Sequence, residues 1–358
     1  MVMFQRLTAL AAIVAAMLLL TACERKITRV EVTEGPQTCF ACHSDQNTFL
    51  VAAERQYGFS KHATGETLGE NMRDCKNCHT SEGYVSRADS CIVHTRNDGT
   101  TVENPTAITC FTCHAPHTGG DFRVRWACTT KLMDGTNYDL HQGNLCASCH
   151  QSRTNVNVLV ATPTTTLSTR WGPHHGPQGD MLIGSNGYEY AGYAYEQTDH
   201  AGATTNNGGD ACVECHMSPA TEGDVGGHSW NMAFGEVGEE DLNTGACTPC
   251  HGSISDFSDI QLSGSSVQDS VVTLLGDLKT SLIAANLLNS TTDLPIARAT
   301  SADSAGAVWN YLIVEGDRSE GVHNAKYILG LLTSSIEFLN GTLPTPAPLA
   351  RASARPRR

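Results

Sequence analysis

One five-residue unit, Cys-x-x-Cys-His, recurs six times in a chain of 358 residues. Its copies are Cys39, Cys42 and His43; Cys75, Cys78 and His79; Cys110, Cys113 and His114; Cys146, Cys149 and His150; Cys212, Cys215 and His216; and Cys247, Cys250 and His251. Two thiols three positions apart with an imidazole directly behind them constrain the fold more than any other feature. Each copy commits a stretch of chain to one bulky object. A lone Cys-x-x-Cys can be a redox pair or half a zinc site, but a zinc ribbon needs paired knuckles at closer spacing and has no use for a His after each. A disulfide framework would not repeat one unit in this way. The order does match the attachment signature of c-type haem, in which both thiols become thioethers to the porphyrin vinyl groups and the adjacent His reaches the iron. The expectation is six c-type haems held by these eighteen residues.

The bulk composition fits that reading. Hydrophobic residues make up 40% of the chain and aromatics only 6%, so protein alone would build a thin core. Haem supplies the missing apolar volume, and core-poor chains usually need metals or cross-links to be stable; the protein without haem is expected to be largely unfolded. A formal charge of -14 excludes binding of nucleic acid or of an anionic membrane surface through a basic face.

Residues 1–22 read as a secretory signal, with Arg6 followed by an apolar stretch too short for a spanning helix. The signal ends in Leu20-Thr21-Ala22-Cys23, a lipobox-like sequence. Cys23 would then carry a lipid anchor that attaches the exported chain to a membrane without spanning it. Glu24, rather than Asp, follows that Cys and points toward the outer membrane or cell surface, the periplasmic face being the alternative. Of 15 Cys, 12 lie in the motifs and Cys23 takes lipid. Cys91 and Cys128 remain. In an oxidising compartment they are expected to pair as a disulfide worth roughly 3 to 4 kcal/mol, the alternative being two buried thiols.

The first cysteines of the motifs are spaced by 36, 35, 36, 66 and 35 residues, a repeat in all but one interval. Between them lie short helical or turn segments and Gly- or Asn-rich loops, with no long periodic helix before residue 260. The long interval contains "TNVNVLVATPTTTLSTRW", which is β-prone with a Pro break and predicts one short hairpin. Apolar residues return at helical spacing in "SVQDSVVTLLGDLKTSLIAANLL", "SAGAVWNYLIVEG" and "HNAKYILGLLTSSIEFLNG", predicting three helices packed on the haem body. The organisation expected is therefore a signal peptide at 1–22, a hexahaem region at 23–260, C-terminal helices at 261–342 and a disordered basic tail at 343–358. The fold class is mainly α with extensive loops and little β.

Each haem iron needs a second axial ligand or an open face. The chain has 15 His, of which six are proximal: His43, His79, His114, His150, His216 and His251. The remaining nine outnumber the distal positions, while Met is scarce, so bis-histidine ligation is the economical expectation; it gives lower potentials than His/Met ligation. The chosen distal ligands are His62, His117, His174, His200, His228 and His323, with His141, His175 and His94 in reserve. His117 lies three residues beyond proximal His114, too close to reach the far side of the same iron. It should serve a neighbouring haem.

The six units, the Cys-x-x-Cys-His-x-Pro-His variant ending at His117, "LCASCHQSR", "WGPHHGPQGDML", "CVECHMSP" with "GGHSW", and "GDRSEGVHNAKYILGLL" together resemble the multihaem c-type cytochromes of metal-reducing and related bacteria. The likeness covers roughly residues 37 to 340. That group includes surface electron-transfer cytochromes and hexahaem filament formers, and is more distantly similar to pentahaem nitrite reductases. The resemblance implies a fold organised around a stacked haem chain, with iron bound by two histidines. It implies a relay of electrons between other redox proteins, such as periplasmic or outer-membrane cytochromes, and an extracellular acceptor, with no catalytic residues. Two alternatives differ. A reductase of a small nitrogen or sulfur oxyanion needs one open iron, with Arg170, His175 and Tyr193 as candidate helpers, but the Cys-x-x-Cys-Lys of nitrite reductases is absent. A homo-oligomer or cytochrome filament would borrow a distal His from the next copy; a lipobox is unexpected for such a subunit.

Overall fold

The computed structural model describes residues 47–65, 75–88, 101–125, 128–206, 208–219, 222–236 and 238–342. The signal segment, Cys23, Cys91, His94 and the basic tail lie outside them. So do Cys39, Cys42 and His43, and the first of the six expected haem sites therefore falls outside the described residues. Helices and loops dominate, and the only sheets among the described residues are two-stranded ladders of two or three residues per strand. No helix among the described residues is long and apolar enough to cross a membrane.

We label the longer helices α1 (Thr48–Gly58), α2 (Ser81–Ala88), α3 (Val267–Ala284), α4 (Ala302–Asp317) and α5 (Ala325–Leu339). Among the described residues before 260 the longest is α1, of 11 residues with none buried. The three segments with helical periodicity do form α3, α4 and α5. Ser266 and Ser301 cap α3 and α4 by accepting the backbone N–H of Asp269 and Ser304, which satisfies donors that a helix start leaves open. In α3 the buried residues are Val267, Val271, Leu278 and Leu282, one stripe at helical spacing. Helix α4 is buried on nearly every face, as a central helix must be. Its Trp309 is fully buried, meets Trp171 edge-on with ring centres 5.8 Å apart, and donates its indole N–H to the Asn186 carbonyl at 2.6 Å.

Asn310, fully buried in this core, is paired on both ends of its amide. Asn310 accepts from Tyr188 N at 2.8 Å and donates to the Tyr188 carbonyl and to Ser335 Oγ, both at 2.9 Å. Gly306 is required beside them, because a Cβ there would lie 2.0 Å from the Tyr188 ring.

The hairpin expected within the 147–212 interval is replaced by a long-range pairing. Strand β1 (Thr164–Thr166) pairs antiparallel with β2 (Ala299–Ser301), Thr165 opposite Thr300. The reason is local. Asn155 accepts from Asn157 N at 2.8 Å and starts a helical turn over Val156–Leu159, so the first half of the β-prone stretch is not available as a strand. The Thr half takes its partner instead from the residues just before α4. This clasp ties the C-terminal helices to the segment that follows the Cys146 motif.

Candidate functional site

In four of the motifs one short helical turn does the local work: the His N–H bonds the carbonyl of the first Cys, for His79, His114, His150 and His251, at 2.8 to 2.9 Å. Cys212–His216 is a helix of the same kind. At helical spacing, positions i, i+3 and i+4 share a face, so two thiols and an imidazole point the same way. The motif of Cys42 and His43 is outside the described residues, and its geometry is not part of this set.

The described thiols are not equally enclosed. Cys110 and Cys250 are exposed, whereas the other motif cysteines are half-buried. An exposed Cys250 puts the second thiol of the last motif at the surface of the chain.

Each of the five described motif imidazoles faces a second one from elsewhere in the chain. Ring centres are 6.3 Å apart for His79 and His174, 6.3 Å for His114 and His228, 6.0 Å for His150 and His62, 6.3 Å for His216 and His323, and 6.1 Å for His251 and His200. With metal–imidazole bonds of about 2 Å and ring centres roughly 1 Å behind each nitrogen, two rings on opposite sides of one metal have centres roughly 6 Å apart. Direct ring stacking would not need that gap. Five of the six histidines expected as distal ligands therefore lie across from a motif histidine. The sixth, His117, lies in a short helical turn, Pro116–Gly119, with its ring 5.7 Å from Phe111. Of the reserves, His175 packs on His174, and exposed His141 has its Nδ1 2.6 Å from the Gly209 carbonyl.

The rings are held by their far nitrogens. Nδ1 of His150 lies 3.0 Å from Gln178 Oε1, that of His216 2.9 Å from the Trp230 carbonyl, that of His200 2.5 Å from the Val322 carbonyl, and that of His323 2.7 Å from Asp317 Oδ1. An oxygen on Nδ1 places the proton there and leaves Nε2 as the ligating lone pair. Burial also favours the neutral, ligating form: it pushes His62 down to about 4, with His150 adding to the effect, and His174 down to about 4, with Arg153, His175 and His79 adding. His323 moves the other way. Burial opposes its protonation, but the Asp317 carboxylate outweighs that and raises it.

Among the described residues, no three or more His, Cys, Asp or Glu converge on one point, so a bare metal ion has no cage. The imidazoles come in twos, as an equatorially chelated iron would use them. A second feature fits haem: Arg87 is buried, its Nη2 bonds the Asn77 carbonyl at 2.6 Å and lies 3.7 Å from Cys78 Sγ and 3.8 Å from Cys149 Sγ, yet its Nε and Nη1 have no partner. A buried guanidinium short of acceptors calls for an anion, and haem brings propionates.

The sites adjoin through their sulfurs. Cys78 and Cys149 are within hydrogen-bonding reach, as are Cys146 and Cys212. Cys113 lies in electrostatic range of Cys149, and Cys215 in that of Cys247 and Cys250. The site of Cys146 and Cys149 is thus a junction between the Cys75 and Cys110 motifs on one side and the Cys212 motif on the other. Spatial order is not sequence order. Trp230 sits at this junction: its carbonyl faces His216, and its ring is 4.9 Å from His62 and 5.7 Å from His228. Sequence reading passed over Arg87, Gln178, Trp230 and Asp317. Gln178, Trp230 and Asp317 carried a signal only as neighbours of His174, His228 and His323, and Arg87 carried none.

Asp180 anchors the junction to the core, accepting from Ser152 N at 2.7 Å and from Asn186 Nδ2 at 3.2 Å. Burial drives its carboxyl up to about 7 against those two bonds. A carboxyl raised in the folded state stabilises the fold below its unfolded value near 4, and that contribution is lost as pH rises through about 7. Relative to Asp180→Asn, the protein is therefore expected to gain Tm as pH falls from 7 toward 4. Thermal melts across that window check this; a difference independent of pH refutes it.

Cys128 is disulfide-bonded, and since the other described cysteines are free thiols its partner lies outside the described residues. No family model matches the chain, and no curated protein does. One solved structure, the crystal structure of outer cell wall cytochrome OcwA, aligns with a TM-score of 0.46 at 21% identity, over 79% of this chain and 49% of that one. The chain spans about half the length of that structure.

Proposed function

We propose that the protein is an electron-transfer cytochrome that carries six c-type haems and passes electrons along them. The observation that carries this reading is the facing of each described motif histidine by a second histidine at 6.0 to 6.3 Å. Haem, when bound, supplies a one-electron couple. The chain's part is to attach it through two thiols, fill both axial positions with imidazole, and set neighbouring sites sulfur to sulfur. With both faces of an iron taken, no substrate reaches it, which favours a relay over an oxyanion reductase. Arg87 would pair with a propionate.

His62, His174, His200, His228 and His323 serve the haems at His150, His79, His251, His114 and His216. His117, three residues beyond His114, would serve a neighbouring haem. Replacing His117 by Ala is expected to convert one low-spin iron in six to high spin while leaving the thioether count intact; electron paramagnetic resonance and intact mass read the two separately. Export and lipidation at Cys23 place the relay at the outer membrane or cell surface, between other redox proteins and an extracellular acceptor. Intact mass of the exported protein tests the whole reading. Six haem adducts and six low-spin signals support it, while fewer adducts, or a high-spin signal that binds cyanide or nitrite, refute a pure relay.

A further inference from the structure

The Nδ1 partners of adjoining sites differ in charge. His150 meets the side-chain carbonyl of Gln178, and His216 and His200 meet backbone carbonyls, all neutral. His323 meets a carboxylate, that of Asp317, which is itself only 2% exposed. The two distinct partners are wired together, because Gln178 Nε2 donates to the Asp317 backbone carbonyl at 3.1 Å. Asp317 is also the last residue of α4, where the negative end of the helix dipole makes a buried carboxylate unfavourable. The chain beyond it holds Arg318 at φ 58° and Glu320 at φ 49°, left-handed conformations that non-glycine residues adopt at a cost. Helix end and loop together bring His323 back onto that carboxylate. On the other side of the boundary, the buried cation Arg87 lies beside Cys149.

We propose that Asp317 holds the reduction potential of the haem between His216 and His323 below that of its neighbour between His62 and His150, so that electrons run from the first to the second. The proposal rests on the relay reading above. A carboxylate on Nδ1 makes the imidazole a stronger donor and favours ferric over ferrous iron. Gln178 adds no charge to His150. Asp317 is a positioning and tuning residue, since it acts on the iron through His323. Its partner Ser319 donates its hydroxyl to the other carboxylate oxygen and draws charge away from His323.

The test is a potentiometric titration of the haem-loaded protein, followed by absorption and electron paramagnetic resonance. Outer-shell changes around metal ligands shift affinities by about 10- to 100-fold, and a tenfold change in the ferric-to-ferrous preference is 59 mV for one electron. Asp317→Asn is expected to raise one component, the lowest of the adjoining pair, by at least that much and to move the g values of one low-spin iron. Ser319→Ala is expected to move the same component down. Loosened packing would not shift one haem in opposite directions in two variants. The proposal is overturned if Asp317→Asn with six low-spin haems moves no component or moves all alike; if that variant loses a haem, a failure of Ser319→Ala to lower one component overturns it. Absence of covalent haem from the unaltered protein would instead sink the relay reading.

Discussion

Replacing His150 by Ala is expected to divide the proposed relay into two groups that exchange electrons slowly. The turn that carries His150 belongs to the junction motif, whose Cys149 is within hydrogen-bonding reach of Cys78 and in electrostatic range of Cys113, and whose Cys146 is within hydrogen-bonding reach of Cys212. With His62 alone facing that site, one low-spin signal is expected to convert to high spin. In rapid reduction by a donor that enters at the Cys247 end, where Cys250 is exposed, haems at the Cys212 and Cys247 motifs should still fill quickly. Those at the Cys75 and Cys110 motifs should fill in a separate, slower phase. The same change at His251, at the end of the series, should cost one low-spin signal and leave reduction of the remainder in a single phase. Two-phase kinetics in both variants, or in neither, would contradict the spatial order derived from the sulfur contacts.

Trp309→Ala should have the largest effect on stability of any single core change. The indole is fully buried, packs on Trp171, and donates to the Asn186 carbonyl at 2.6 Å. Removing a buried Trp typically costs about 3 to 5 kcal/mol through lost transfer energy and the cavity left behind. The orphaned Asn186 carbonyl adds to that cost. Asn186 also donates to Asp180 and accepts from Val156 N, so the damage should spread toward His150 and not stay within the helices. Denaturant melts followed by far-ultraviolet circular dichroism and by the haem absorption band should shift together. A loss under about 1 kcal/mol would show that the C-terminal helices fold without this keystone.

The shared face of each unit was legible in the primary structure because it is local: Cys110, Cys113 and His114 need only one helical turn to point the same way. Counting histidines against motifs singled out six, and five of them, His62, His174, His200, His228 and His323, each face a motif histidine. Which of them faces which motif was not legible. His62 meets His150, and His200 meets His251, across loops whose path depends on the whole fold. The same limit explains the misplaced hairpin: Thr164–Thr166 have a strand's composition, but their partner lies just before α4, and nothing in the local pattern names it. The regular spacing of motifs also misdirects, since it invites a linear array in sequence order while the Cys146 motif adjoins three others. Arg87 belongs to no motif, and Gln178 and Asp317 lie in quoted segments that give no hint of what they bond. Their roles come from burial and from whom they touch.

Trp230 has one further implication. Its carbonyl steadies an imidazole of the Cys212 site while its ring lies against imidazoles of the Cys146 and Cys110 sites. Separations among those three centres are thereby pinned at one common point and not measured out by the lengths of chain between them. Insertions or deletions in the intervening loops, the 66-residue interval above all, could change the surface that partners see and leave the internal spacing as it is.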